Sequence, residues 1–139
     1  LNGNVRRHVE VAAQADSRIR LHLTHIPDDE MQRYLLSANA LVAPYRAVLT
    51  SSSAVLGLSY GLPVIAPQLG CLPELVPPEA GILYAPTSPS GLDDALIAIK
   101  QREPELTRAA ALATARLLDW NRIGRETAAV YHACLSAPA

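Results

Sequence analysis

Four hydroxyl side chains stand in a row at Thr50, Ser51, Ser52 and Ser53, shortly after the pair Tyr45-Arg46. They open an apolar run that ends at Gly61, so they read as the start of a helix. A helix N-terminus carries unpaired backbone N–H groups and a partial positive charge. Small hydroxyl residues let an anion approach those groups and add donors of their own. Arg46 adds a formal charge. One serine at such a place is an ordinary N-cap. Four hydroxyls behind a Pro-Tyr-Arg turn point to an anion-holding start as well, and the two roles are compatible.

A second stretch, Pro67 to Glu74, follows another short apolar segment. Gly70 permits a sharp turn and a close backbone approach. Glu74 falls in the first turn of a short helix. It either complements the helix dipole or accepts hydrogen bonds from hydroxyl groups of a ligand. Elsewhere the chemistry is sparse. His8, His22, His25 and His132 have no metal-ligand spacing with Cys or carboxylates. Asp28-Asp29-Glu30 and Asp93-Asp94 read as acidic first turns of helices. There is no G-x-S-x-G, no Walker A and no G-x-G-x-x-G.

Certain elements must position these residues. A helix is expected over Val5 to Ala15, then a strand over Arg18 to Ile26, where Ile19, Leu21 and Leu23 alternate with polar residues. Asp28 starts a helix with Met31, Tyr34, Leu35 and Ala38 as its buried stripe. Ala40 to Tyr45, Pro63 to Ala66 and Gly81 to Ala85 read as short buried strands. Between them lie the helix from Ser51 to Tyr60, closed by Gly61, and a helical turn at Pro73 to Val76. Ser90 caps a helix from Leu92 to about Gln101. Pro104 to Leu118 is a helix with Leu106, Ala110, Ala113 and Leu117 at core spacing. Asp119 caps the last helix, whose stripe is Trp120, Ile123, Thr127, Val130, Tyr131 and Cys134. Ser136 to Ala139 reads as a loose tail.

Short apolar strands alternating with helices predict an α/β fold, a Rossmann-like parallel sheet flanked by helices. Ligands bind such sheets beyond the carboxyl ends of the strands. That rule selects the loops at Ile26-Pro27, Tyr45 to Ser53, Pro67 to Pro73 and after Tyr84. The 139 residues suffice for one domain with a real core. A net charge of −1 gives no basic footprint for nucleic acid or an anionic membrane surface. Cys71 and Cys134 read as buried reduced thiols, which suits a reducing cytoplasm. The longest apolar stretch, Ala54 to Ala66, is interrupted by Gly57, Gly61 and Pro63, short of the roughly 18 residues that suggest a membrane span. The start, Leu1-Asn2-Gly3, reads as a piece of something longer.

The ordered set "IPDDE", "YLLSANALVAPY", "AVLGLSYGLPVIAP", "GCLPELV" and "GILY" resembles the C-terminal, donor-binding domain of GT-B glycosyltransferases, in the large group 1 retaining family. The resemblance spans Leu1 to about Leu135 and rests on Gly61 to Ile65, Pro73-Glu74 and Gly81 together. It implies transfer of a sugar from a nucleotide-sugar donor, UDP- or GDP-linked, to an acceptor. The donor diphosphate would rest on Thr50, Ser51, Ser52 and Ser53 with Arg46. The sugar or nucleoside would lie near Ile26, Pro27, Tyr45, Gly70 and Glu74. No cofactor and no metal are implied, since N–H groups and basic side chains stabilise the leaving diphosphate.

Two departures stand out. The family commonly carries two glutamates around this helix, and alignment on Gly61 puts Val48 and Leu56 at those positions. The family's donor domain also begins with a further strand and helix bearing phosphate-holding basic residues. Leu1-Asn2-Gly3 resembles the end of that strand. The expectations are therefore a partial donor domain over 1–139, inactive alone, with the acceptor bound by an N-terminal domain. Self-association through a truncated sheet edge is expected, as is a cytoplasmic site, membrane-peripheral in the full enzyme. The competing reading is a non-catalytic GT-B-like module that binds a nucleotide or a protein. A phosphate-accepting response domain needs acidic strand ends, and these strands end in proline, tyrosine and glycine.

Overall fold

The computed structural model describes residues 3–136. Leu1-Asn2, in the expected strand end, and Ala137 to Ala139 of the expected tail lie outside them; Gly3 already belongs to a helix and Ser136 ends one. The chain divides into two units, one ending at Tyr34 and the other beginning at Leu35.

The first unit opens with α1 (Gly3–Ala15). Asp16 then clasps Arg18: its carboxylate accepts from the Arg18 backbone N–H at 2.9 Å and from the guanidinium Nη2 at 2.6 Å. The side-chain bond to Arg18 holds the Asp16 carboxyl below its usual range. The segment after Arg18, expected as a strand, has no regular structure. Its alternation is visible in burial, with Leu21 and Leu23 half-buried and His22 and Thr24 exposed. A strand also needs a ladder partner, and the sheet order β1-β2-β3 contains none for it. The helix α2 (Asp28–Ser37) starts on its acidic cluster as expected. Of its predicted stripe only Leu35 is buried, while Tyr34 is partly exposed and meets His22 edge-on at 5.0 Å.

The second unit is built on a parallel sheet of β1 (Leu41–Val42), β2 (Val64–Pro67) and β3 (Gly81–Tyr84), in that order. Registers run Leu41↔Val64 and Val42↔Ile65 on one side, Val64↔Gly81 to Pro67↔Tyr84 on the other. Every residue of β2 is buried. Successive strand residues face opposite ways, so both faces of the sheet are covered at β2. Val64 and Ala66 join a core with Ala54 and Leu58 of α3 (Ser52–Ser59), Leu72 of α4 (Leu72–Leu75) and Ala111 of α6 (Pro104–Arg116). Ile65 faces the other way, and α5 (Gly91–Ile99) contacts both β2 and β3. Fully burying side chains such as Leu58, Leu62 and Ile65 contributes about 1.5–3 kcal/mol each. The expected strand at Ala40 to Tyr45 shortens to β1, and Val42 is 42% exposed because β1 is an edge.

Gly61 ends α3 in the left-handed region at φ +74°, and the Leu62 N–H returns to the Gly57 carbonyl at 2.9 Å. Ser90 precedes α5, but its hydroxyl donates to the Asp94 carboxylate at 2.8 Å instead of capping the backbone. The inward face of α6 is shifted by one residue from the expected one. Thr107 and Ala111 are buried, whereas Leu106 is 72% exposed and Leu117 is also exposed. Thr107 fits there because its hydroxyl is spent on the Glu103 carbonyl at 2.8 Å. The terminal helix α7 (Trp120–Ser136) is capped by Asp119, whose carboxylate accepts from the Arg122 N–H at 3.2 Å. Its expected stripe is uncovered: α7 buries no residue, and Trp120 is 82% exposed. Both cysteines are free, but Cys71 is half-buried and Cys134 exposed, not buried as expected.

The α6 correction is testable by urea unfolding. Leu58→Ala is expected to cost about 2–5 kcal/mol, and Leu106→Ala to stay within about 0.5 kcal/mol of the parent. A large loss at Leu106 would restore the face expected from spacing.

Candidate functional site

The site begins where β1 ends. Ala43 is buried, and the chain turns at Tyr45, whose N–H donates to the Ala43 carbonyl at 2.8 Å. The turn sends the Tyr45 hydroxyl to the Ser51 Oγ at 3.0 Å. Ser51 is the N-cap of α3, extended at φ −135° and ψ 95°, and only 5% exposed. Its Oγ accepts the Ala54 N–H at 3.1 Å, and its carbonyl accepts the Val55 N–H at 3.3 Å. The cap thus consumes the third N–H of the helix. Among the described residues no acceptor pairs with the Ser52 or Ser53 N–H, and both residues are exposed. These are the open donors of α3, at the end of the sheet where ligands of such folds bind. Thr50 and Arg46 are exposed beside them in sequence.

The loop after β2 is tied to this one through the backbone. The Leu69 N–H donates to the Pro67 carbonyl at 2.8 Å, and Gly70 follows at φ +52°. The next N–H, of Cys71, donates to the Leu49 carbonyl at 2.9 Å. A side chain at position 70 would run into the carbonyls of Val48 and Leu49. The Tyr45–Ser51 and Pro67–Cys71 loops are therefore laid against each other, and only glycine lets them close. The Tyr84 carbonyl at the end of β3 accepts the Gln68 N–H at 2.8 Å, bringing the third strand end to the same edge. Glu74 is exposed on α4, its N–H donating to the Cys71 carbonyl at 3.2 Å.

Of the sequence-named residues, Tyr45, Ser51, Ser52, Ser53 and Gly70 are thus joined within one unit, with Arg46 and Thr50 on the first of these loops and Glu74 on α4. Ile26 and Pro27 belong to the other unit, where the Pro27 carbonyl accepts the Glu30 and Met31 N–H groups at 3.0 Å each and starts α2. Val48 and Leu56, the positions for which the resemblance implied glutamates, are half-buried aliphatic residues, and Val48 packs against the core. Sequence reasoning missed the Leu49–Cys71 link, because it joins backbone groups that no residue type announces. Among the described residues no group of three or more His, Cys, Asp or Glu is placed to hold a metal ion. No helix among them is long and apolar enough to cross a membrane.

Residues 2–102 match the family described as glycosyl transferases group 1. Among solved structures, sucrose-phosphate synthase from Thermosynechococcus elongatus superposes with a TM-score of 0.76 at 24% identity, over 99% of this chain. The matched part is 36% of that enzyme's length. The likeness establishes the Rossmann-like fold of a GT-B domain. No curated protein matches the sequence.

The loop geometry yields two expectations. Ser51→Ala should cost about 0.5–2 kcal/mol through the lost cap. Tyr45→Phe should cost about 0.5–1.5 kcal/mol, and the double variant less than the sum, because both bonds end on one Oγ. Strict additivity in urea unfolding would mean that Tyr45 and Ser51 do not bond. Gly70→Ala should cost about 1–3 kcal/mol from the left-handed backbone alone, and amide exchange at Cys71 should quicken. Slow exchange at Cys71 in that variant would show that the loops do not depend on Gly70.

Proposed function

This chain belongs to the group 1 glycosyl transferases, and we propose that it binds the diphosphate of a nucleotide-sugar donor at the N-terminus of α3. The observation that carries the reading is the pair of open N–H groups at Ser52 and Ser53, held in place by the buried Ser51 cap. Two N–H groups and the helix dipole favour a dianionic leaving group without a metal ion. Charge developing on the diphosphate as the sugar departs would meet donors that need no rearrangement, which is electrostatic preorganisation. Arg46, exposed on the same loop, supplies the formal positive charge. Glu74, in the first turn of α4, is the carboxylate assigned to hydroxyl groups of the sugar or ribose. Acceptor binding and turnover belong, in this reading, to the whole enzyme.

A second reading, a GT-B-like module without transferase activity, draws on Val48 and Leu56. Neither can accept a hydrogen bond from a sugar hydroxyl as a glutamate would. Nucleotide affinity separates the two readings.

Titration with UDP, GDP and their sugar conjugates, followed by backbone amide NMR, tests the proposal. Saturable shifts should centre on Ser52 and Ser53 and reveal the preferred base. Unmoved amides at millimolar nucleotide, with the fold intact, would remove the donor site from this chain. Ser52→Asp gives an independent check with opposed signs. It should stabilise α3 by about 0.3–1 kcal/mol through the dipole, and weaken diphosphate binding about tenfold by repulsion. Unchanged affinity in that variant would place the diphosphate elsewhere.

A further inference from the structure

One concave feature of the second unit lies away from the α3 edge. It is a cavity of about 440 Å³ at the amino ends of β1 and β2, where the residues leading into those strands meet the α5–α6 turn. Its volume falls in the range of small-molecule pockets, roughly 300–1,000 Å³. Three basic side chains, Lys100, Arg102 and Arg108, line it together with one acid, Glu105. The family's donor chemistry uses the opposite end of the sheet, so this cavity is outside the site described above.

The charges of the cavity are not spent on one another. Among the described residues, Lys100, Arg102 and Arg108 form no ion pair; the salt bridges are Arg6–Glu10, Arg18–Asp16 and Arg122–Glu126. Arg102 donates one N–H to the Pro78 carbonyl, which fixes the guanidinium and leaves its charge uncompensated. The stem of Arg108 lies over Gly61, whose missing side chain makes room for it. Lys100 sits at the C-cap of α5 and Glu105 in the first turn of α6, and each complements its helix dipole. That ordinary role accounts for one cation and the one anion. It leaves the Arg102 and Arg108 charges without an acidic partner on the wall of a space large enough for a ligand.

We propose that this cavity is a second anion site, taking a small phosphate-bearing molecule. Guanidinium groups are the side chains best matched to phosphate oxygens, through paired N–H bonds in a fixed fork. Asn39 on the cavity wall adds a neutral hydrogen-bonding group for the rest of such a ligand.

The test is amide NMR on the whole chain with inorganic phosphate in one arm and glycerol phosphate in the other. Sodium chloride at matched ionic strength serves as the control. Saturable shifts at Lys100, Glu105 and Arg108 in either phosphate arm support the site, and the arm with the lower Kd tells free phosphate from a phosphate ester. Lys100→Gln with Arg108→Gln should weaken binding about tenfold or more. Both side chains are exposed, so the fold should persist. Glu105→Gln should tighten binding severalfold, a gain that a merely damaged fold would not give. Shifts reproduced by chloride, no shifts at tens of millimolar phosphate, or equal affinity in the charge-removing variants would each overturn the proposal. Shifts at Ser52 and Ser53 report the α3 end separately, so the two sites do not confuse each other's result.

Discussion

The second unit depends on one constraint, the burial of β2 on both of its faces. Val64, Ile65, Ala66 and Pro67 leave no polar side for water, so elements must pack above and below. The parallel ladder then needs strands that arrive from the same end, and connecting segments carry the chain back between them. Once β2 is covered, the loops after β1, β2 and β3 emerge at one edge. Everything functional at the α3 end follows from that placement. The buried residues of α3, Ala54 and Leu58, hold the helix against the strand, and the buried Ser51 cap fixes its first turn.

The serines do a different job at each position. Ser51 is inside, and its Oγ is shared between a helix N–H and the Tyr45 hydroxyl. Its hydroxyl acts on structure. Ser52 and Ser53 are outside, and what they offer is chiefly their backbone N–H groups and the absence of bulk. A run of identical residue types therefore divides into a buried cap and an exposed pair with open N–H groups, and the division falls where burial changes. The same economy appears across the gap, where Gly70 contributes no side chain at all. Its role is to let the Cys71 N–H reach the Leu49 carbonyl, so that two loops behave as one surface.

Much of this was legible in the sequence, and the losses have a common cause. The strands β2 and β3, the helix α3 with its Gly61 stop, the α4 turn and the parallel α/β class all announce themselves through local signals: short apolar runs, hydroxyl caps and glycine ends. Those signals are carried by neighbouring residues. The Arg18–Ile26 segment has strand periodicity yet forms no ladder, because a strand is a property of a pair. Leu106 and Leu117 sit at core spacing on α6, but Thr107 and Ala111 face inward because small side chains permit a close approach to α3. The α7 stripe is amphipathic by sequence and exposed by structure, since periodicity says which face is apolar and nothing about what meets it. For the candidate site, the hydroxyl run was visible as a type; the Tyr45–Ser51 bond and the backbone link at Leu49 were not.

Val48 and Leu56 sharpen the chemical argument. A carboxylate at either position would sit half-buried beside an apolar core, with a desolvation cost that a ligand hydroxyl group would have to offset. With aliphatic residues there, that cost is absent and the α3 region packs well without any ligand. The arrangement separates two demands that a carboxylate would couple. On the proposed reading, the diphosphate would meet backbone N–H groups, which are the same for any sequence that keeps the helix. The sugar would meet side chains, and Val48 and Leu56 offer it no acceptor. That reading therefore makes the expected behaviour asymmetric: diphosphate recognition independent of these two side chains, and sugar recognition limited to what Glu74 and the facing loops supply.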